Sequence, residues 1–153
     1  MSIALRREAD WPALVALWVE SWSDAYPAID FSLRRDWLVR HLSELEARGA
    51  VTLCLFEAPD DLLGFVTINP ATGWLDQICV ARSHIGNGAG AALMAAAREA
   101  SPQGIRLDVN ADNARAIGFY ERQGFTSAGP GPDSMSGRPT LVMEWRALQP
   151  QSR

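Results

Sequence analysis

The chain has 153 residues, of which 48% are hydrophobic and 21% charged, with a formal net charge of −4. That balance belongs to a globular protein of about one domain with a substantial core. All fourteen basic residues are arginines, scattered along the chain; without a basic stripe no nucleic-acid partner is expected, and without lysine a Walker phosphate loop and a lysine Schiff base are excluded.

Residues 3–7 alternate as an edge strand. Asp10 stands as an N-cap before a helix that tolerates Pro12 in its first turn and carries Trp11, Trp18 and Trp22 on one face. Tyr26-Pro27 ends it, and a second helix is expected from a Ser32 cap to about Arg48, with Gly49 as its stop. Three strands follow, residues 51–56, 62–68 and 74–80, joined by turn-rich segments as an antiparallel meander.

The pattern then changes to a Gly-rich loop, an Ala-rich helix over residues 89–100, a strand over 105–109 and a helix over 113–123. Strand, helix, strand in that order implies a parallel pairing. Residues 125–128 and 140–145 supply the last two strands, joined by "GPGPDSMSGRP", which reads as a long, mobile surface loop. The expected organisation is one α/β (α+β) domain over residues 1–146, followed by a C-terminal tail, 147–153, that looks frayed. No apolar run approaches membrane-span length and no secretory signal opens the chain. The two cysteines, Cys54 and Cys79, are therefore expected as buried thiols in a cytoplasmic protein.

Two stretches carry the chemistry. In "ARSHIGNGAGAALM", glycines alternate at Gly86, Gly88 and Gly90 where a strand hands over to a helix. Positive-φ backbone and unpaired helix N–H groups there would cradle a phosphate or diphosphate. The spacing fits neither the dinucleotide fingerprint nor the P-loop, which weakens an oxidoreductase reading. In "NARAIGFYERQGF", Asn113 and Tyr120 are seven residues apart, on one face of a helix with the small Ala116 between them. Ile117 and Phe119 are expected to face the core. The Asn amide donates and accepts hydrogen bonds, and the Tyr hydroxyl holds a proton near neutral pH.

With these two motifs the chain resembles the GNAT superfamily of N-acetyltransferases. The family's Arg/Gln-x-x-Gly-x-Gly/Ala signature is matched by "IGNGAG", and Asn-x-x-Ala-x-x-Phe-Tyr-Glu-x-x-Gly-Phe by "NARAIGFYERQGF". Ile85 departs from the first, standing where the family has Arg or Gln. The resemblance implies a mixed, mostly antiparallel seven-stranded sheet flanked by four helices, opened as a V between strands four and five. It implies acetyl-CoA as co-substrate, without a metal, bound by Val80, Ile85, Gly86, Asn87, Gly88, Ala89, Gly90, Asn113, Ala116, Phe119 and Tyr120. Gly118 and Ala116 would keep the wall slim for the pantetheine arm.

It also implies an N-acetyltransferase that moves an acetyl group to a primary amine, a small molecule as the first choice, by direct transfer in a ternary complex. In that scheme Ile78 N–H binds the thioester oxygen, Tyr120 protonates the leaving thiolate and Asp76 is the base or positions a water. Asp76 is expected on the same face of its strand as Ile78, with Cys79 turned away; Cys79 raises the lesser alternative of an acyl-cysteine route. Glu20 and Asp24 are rival carboxylates. Trp22, Asp24, Tyr26 and Trp37 are the acceptor-binding candidates, aromatic faces and carboxylates suiting a cation. His41 and His84 have no metal spacing and read as structural or solvent-facing. The alternative is a non-catalytic acyl-CoA-binding module on the same scaffold. Membrane partners are not expected, and the resemblance extends to homodimers built through the late strands.

Overall fold

The computed structural model describes residues 1–147; the expected fraying of the last residues concerns positions outside that range. Eleven regular elements follow one another as β1 (Ser2–Leu5), α1 (Trp11–Ala25), α2 (Arg35–Ala47), β2 (Val51–Phe56), β3 (Leu62–Ile68), β4 (Leu75–Val80), α3 (Ala89–Ala100), β5 (Gly104–Asn110), α4 (Ala114–Arg122), β6 (Thr126–Pro130) and β7 (Thr140–Arg146). The seven strands form two antiparallel sheets, β1-β2-β3-β4 and β5-β7-β6. A parallel bridge between Trp74 and Arg106, with Arg106 N–H donating to Gly73 O at 2.9 Å, joins them. Beyond it β4 and β5 part, so the expected V lies between the two sheets.

Alternation along the strands builds a core on each face of the first sheet. Leu55, Leu63, Val66 and Ile68 face α3 and α4 with Leu93, Met94, Leu107 and Phe125. Cys54, Phe56, Phe65 and Cys79 face α1 and α2, where Leu14, Trp18, Leu38 and Leu42 are buried.

Two helix starts differ from expectation. Asp10 does not cap α1; its carboxylate accepts Arg7 N–H at 2.8 Å and the Arg7 guanidinium at 2.8 Å, closing a short 3-10 turn, Glu8–Asp10, ahead of the helix. Likewise Asp30, not Ser32, caps the next segment, accepting Ser32 N–H at 3.1 Å, and a 3-10 turn over Phe31–Arg34 delays α2 to Arg35. In the first, the Asp10 carboxylate is drawn back to the upstream Arg7 amide and guanidinium; in the second, Asp30, two residues before Ser32, takes the Ser32 amide, and in both a tight 3-10 turn precedes the helix. Pro12 does sit at the start of α1, and Gly49 (φ +106°) ends α2.

Candidate active site

β4 carries the irregularity that makes the site. Thr67 pairs with Gln77 and Ile68 with Leu75, so Asp76 is an extra residue, a β-bulge. The bulge breaks the expected alternation. Asp76 reaches His41 on α2, Gln77 accepts from the Trp18 indole on α1 at 3.2 Å, and Cys79 is buried in the same α1–α2 core. Leu75, Ile78 and Val80 pack toward α3 and α4. Asp76 therefore lies opposite Ile78 and shares its face with Cys79, the reverse of the expectation from simple alternation.

The backbone follows from one hydrogen bond. Ala81 N–H donates to Leu63 O at 2.6 Å. By the two-residue period of an antiparallel ladder, the amides of Cys79 and Gln77 also face β3, and those of Ile78 and Val80 turn away toward β5. With β5 parted from β4 there, these amides open into a cleft of about 1140 Å³.

One end of the cleft is built as a cradle. Gly86 (φ +86°) and Gly88 (φ +95°) hold left-handed backbone that L side chains rarely adopt, with open space where a Cβ would lie. The first α3 hydrogen bond runs from Ala92 N–H to Gly88 O, and Gly88 brings no side-chain cap. The amides of Ala89, Gly90 and Ala91 are thus left without an intrahelical acceptor, at the positive end of a twelve-residue helix. A Cβ on Gly90 would stand 2.9 Å from Phe119 Cε1, so glycine lets α3 and α4 close together. This set fits a diphosphate followed by a slender chain. Val80, Ile85, Asn113, Ala116, Phe119 and Tyr120 line the same cleft. Asn87 and Ala89, also expected at the cofactor, do not line the cleft: Asn87 is exposed and Ala89 is buried.

Asn113 caps α4, its side-chain oxygen accepting Ala116 N–H at 3.2 Å, which leaves the amide NH2 for a ligand. Tyr120 is buried between Phe119 and Phe125, with ring centroids at 5.5 and 5.7 Å, and lines the cleft. Burial, reinforced by the fields of Cys79 and Asp108, pushes its phenol above the ordinary range and keeps it protonated. Phe119, expected in the core, also forms cleft wall. Gly118 does not line the cleft; a Cβ there would meet only the Arg122 guanidinium.

The other end holds the acceptor candidates. Trp22, Asp24, Tyr26, Trp37 and Asp76 all line it, whereas Glu20 is exposed elsewhere. Several are already engaged. Trp22 stacks on Tyr26 at 5.9 Å, Tyr26 OH donates to Asp112 at 2.7 Å, and the Arg138 guanidinium covers the Tyr26 ring at 4.7 Å. Asp24 is flanked by Arg82 at 3.4 Å and Arg115 at 3.8 Å. Neither Tyr26 nor Asp24 is thus a free cation receptor.

The loop between β6 and β7 lies at the surface, as expected, and is tied to the acceptor end. Arg138 pairs with Asp112 at 2.9 Å, Arg34 donates to Ser136 at 3.0 Å, and the loop roofs the acceptor end. Sequence reading missed these contacts because each joins residues distant in the chain.

Two further titratable groups stand at the acceptor end. His41 bonds Asp76 through Nε2 at 2.8 Å, and its ring stacks on Trp37 at 4.6 Å. Asp108, on β5 across the opening, has no ion-pair partner among the described residues. Asp108 is exposed at the cleft wall, yet partial desolvation there, with the charge of Asp76 added, lifts its carboxyl above the usual range. The only signal for Asp108 was its place two residues before the end of a strand that enters the motif helix. The Cys79 thiol is pushed up to about 12 by burial, which removes the thiolate that an acyl-cysteine route requires. Among the described residues no three His, Cys, Asp or Glu side chains are grouped to hold a metal, and no helix is long and apolar enough to cross a membrane.

Residues 11–125 match the family model described as Acetyltransferase (GNAT) family. The chain is 32% identical, over 94% of its length and 95% of the relative's, to the peptidyl-lysine N-acetyltransferase YiaC of Escherichia coli (strain K12). Among solved structures it resembles nourseothricin acetyltransferase, with 29% identity, a TM-score of 0.59, and 65% of this chain and 66% of that one covered. It shares its fold with the PaiA N-acetyltransferase of Thermoplasma acidophilum in complex with coenzyme A, at a TM-score of 0.72 and 21% identity over 95% of this chain and 99% of that one.

Proposed function

The chain belongs to the acetyltransferase (GNAT) family and is an N-acetyltransferase by that membership, and we propose that residues 1–146 act as one unit that moves the acetyl group of acetyl-CoA to a primary amine by direct transfer in a ternary complex. One observation carries this reading. The parted β4 and β5 bring an unpaired Ile78 amide, the bare N-terminus of α3 and the Tyr120 phenol to one cleft.

Acetyl-CoA supplies an activated thioester carbonyl. The amides of residues 86–91 and the α3 dipole hold its diphosphate, which compensates for the missing polar side chain at Ile85. Asn113 steadies the pantetheine arm through its free amide NH2. Ile78 N–H donates to the carbonyl oxygen, a bond that strengthens as negative charge builds there. Tyr120, kept neutral by burial, gives its proton to the departing thiolate. Asp108 and Asp76 offer negative charge to the incoming ammonium, and Asp76 assists its deprotonation.

The acceptor we favour is a small cationic amine. The roof formed by Arg34, Ser136, Arg138 and Asp112 narrows the acceptor end, and the other cleft carboxylates Asp24 and Asp112 are matched by arginines. The 32% identity to a peptidyl-lysine N-acetyltransferase supports a second reading, a lysine side chain, which is equally slender. Turnover of acetyl-CoA against a panel of small amines and lysine peptides decides between them, and Tyr120→Phe then tests the chemistry. The reading expects acetylation that falls about 100-fold or more in the variant with coenzyme A binding retained. Binding without turnover across the panel would refute it.

A further inference from the structure

The acceptor end contains a His–carboxylate pair in which the scheme above gives a task to Asp76 and none to His41. His41 and Asp76 come from different elements, α2 and β4, and meet because the bulge turns Asp76 onto the α2 face. An ionised carboxylate only accepts hydrogen bonds, so at 2.8 Å His41 Nε2 carries the hydrogen and Nδ1 keeps its lone pair. Nδ1 has no partner among the described residues and is not sealed from solvent. One ring face lies on Trp37 with an interplanar angle of 12°, which holds the imidazole in a single plane. The side chain is 28% exposed, toward the cleft that also contains Ile78 and Tyr120.

Resting on the acetyl-transfer reading above, we propose that His41 is the catalytic base, taking the proton of the acceptor ammonium on Nδ1, and that Asp76 is its positioning residue. The ammonium loses one proton to Nδ1, and the neutral amine forms the new C–N bond at the thioester carbonyl. As the C–S bond breaks, the thiolate takes the Tyr120 proton and the nitrogen releases its second proton. Tyr120 recovers a proton from solvent and the imidazolium returns its own, so one proton is released per acetyl group. The imidazolium would be formed against Asp76, which stabilises it. An imidazole changes charge close to neutral pH, where a carboxylate is ordinarily too weak a base.

The charged surroundings of His41 are few. β4 presents Asp76 and β5, across the opening, Asp108. Arg34, before α2, is turned to Ser136, and Arg48 lines the small cavity behind Asp76. On α2 itself Arg40 and Glu44 are exposed. From α1 the Trp18 indole N–H is already donated to Gln77, and Asp24 is flanked by Arg82 and Arg115.

The test is the pH profile of kcat/KM for the wild type, His41→Gln, Asp76→Asn and Asp108→Asn, with coenzyme A affinity measured for each. Only two histidines are present, His41 and His84, so their NMR titrations in the wild type are readily assigned and need no variant that might misfold. His41→Gln should lower kcat/KM about 100-fold or more at neutral pH, abolish the acidic limb and leave coenzyme A affinity unchanged. In the wild type that limb should coincide with the NMR midpoint of His41. Asp76→Asn should move both to lower pH together, a shift that a merely structural role would not produce. The proposal is overturned if His41→Gln keeps the limb and its rate, if the limb and the His41 midpoint disagree, or if Asp108→Asn alone removes the limb. A wild type that binds coenzyme A and acetylates nothing would instead overturn the acetyl-transfer reading, and this proposal with it.

Discussion

Gly90→Ala probes the wall between cradle and phenol. The added Cβ would lie 2.9 Å from Phe119 Cε1, 3.1 Å from Cζ and 3.7 Å from Val80 Cγ2. Carbon atoms rest at about 3.5–4.0 Å, so the ring must retreat by about 0.5–1 Å. Overpacking of this kind costs about 1–3 kcal/mol, offset by at most about 1 kcal/mol from alanine's better helix propensity. A net loss of about 1 kcal/mol is expected. Phe119 forms cleft wall, so its displacement falls on the cofactor chain and should weaken coenzyme A by roughly tenfold, the equivalent of about 1.4 kcal/mol. Gly86→Ala gives the stability cost of strain without crowding, because its Cβ meets nothing within 4 Å while its φ of +86° is strained for alanine by about 1–2 kcal/mol. Urea melts and calorimetric titration with coenzyme A measure both quantities. If Gly90→Ala binds coenzyme A as tightly as the wild type, the α3–α4 contact is not the wall of the cofactor site and the assignment of Phe119 fails.

Arg138→Ala should open the roof: the acceptor KM rises, coenzyme A affinity holds, and stability changes by less than about 1 kcal/mol because the Arg138–Asp112 pair is largely exposed. Cys79→Ala should leave the steady-state rate within about threefold, and intact protein should show no acetylated cysteine by mass spectrometry after acetyl-CoA alone, since a thiol pushed up to about 12 is not ionised at neutral pH. Asp108 has a raised native pKa, so folding favours its protonated form; that contribution is present at acid pH and lost as pH rises through the native value. Asp108 is exposed at the cleft wall, so the effect is small: Asp108→Asn should raise the Tm slightly at neutral pH while weakening the acceptor, and a lowered Tm would contradict the raised carboxyl. Asp10 is the opposite case: the Arg7 guanidinium holds its carboxyl below the usual range, so its stabilisation is full at neutral pH and fades as pH falls through the lowered native value. Urea melts of the wild type and Asp10→Asn should converge toward acid pH.

The sequence revealed what depends on local pattern. Strands β2 and β3 and helix α3 fall where their apolar runs and turn residues indicate, and the glycine bend and the Asn113–Tyr120 helix both line the cleft. What was hidden depends on register and on contacts between distant segments. A one-residue bulge at Asp76 is invisible to an alternation count, yet it decides which core the carboxylate faces and whether His41 has a partner. His41 reads as structural or solvent-facing because a lone imidazole has no sequence spacing to betray an Asp thirty-five residues away. The loop "GPGPDSMSGRP" is exposed, as its composition indicates, while its contacts, Arg34 to Ser136 and Arg138 to Asp112, join segments that no local pattern connects. The two helix caps differ because Arg7 draws the Asp10 carboxylate back from α1 and because Asp30 takes the Ser32 amide, local contests that a cap pattern does not rank.

The account depends most on where a thioester comes to rest, and a crystal structure of the protein with acetyl-CoA measures that directly. It should show the diphosphate on the amides of residues 86–91, the thioester oxygen about 3 Å from Ile78 N, and the sulfur beside the Tyr120 hydroxyl. A diphosphate bound away from the glycine bend, or a thioester out of reach of both Ile78 and Tyr120, would contradict it.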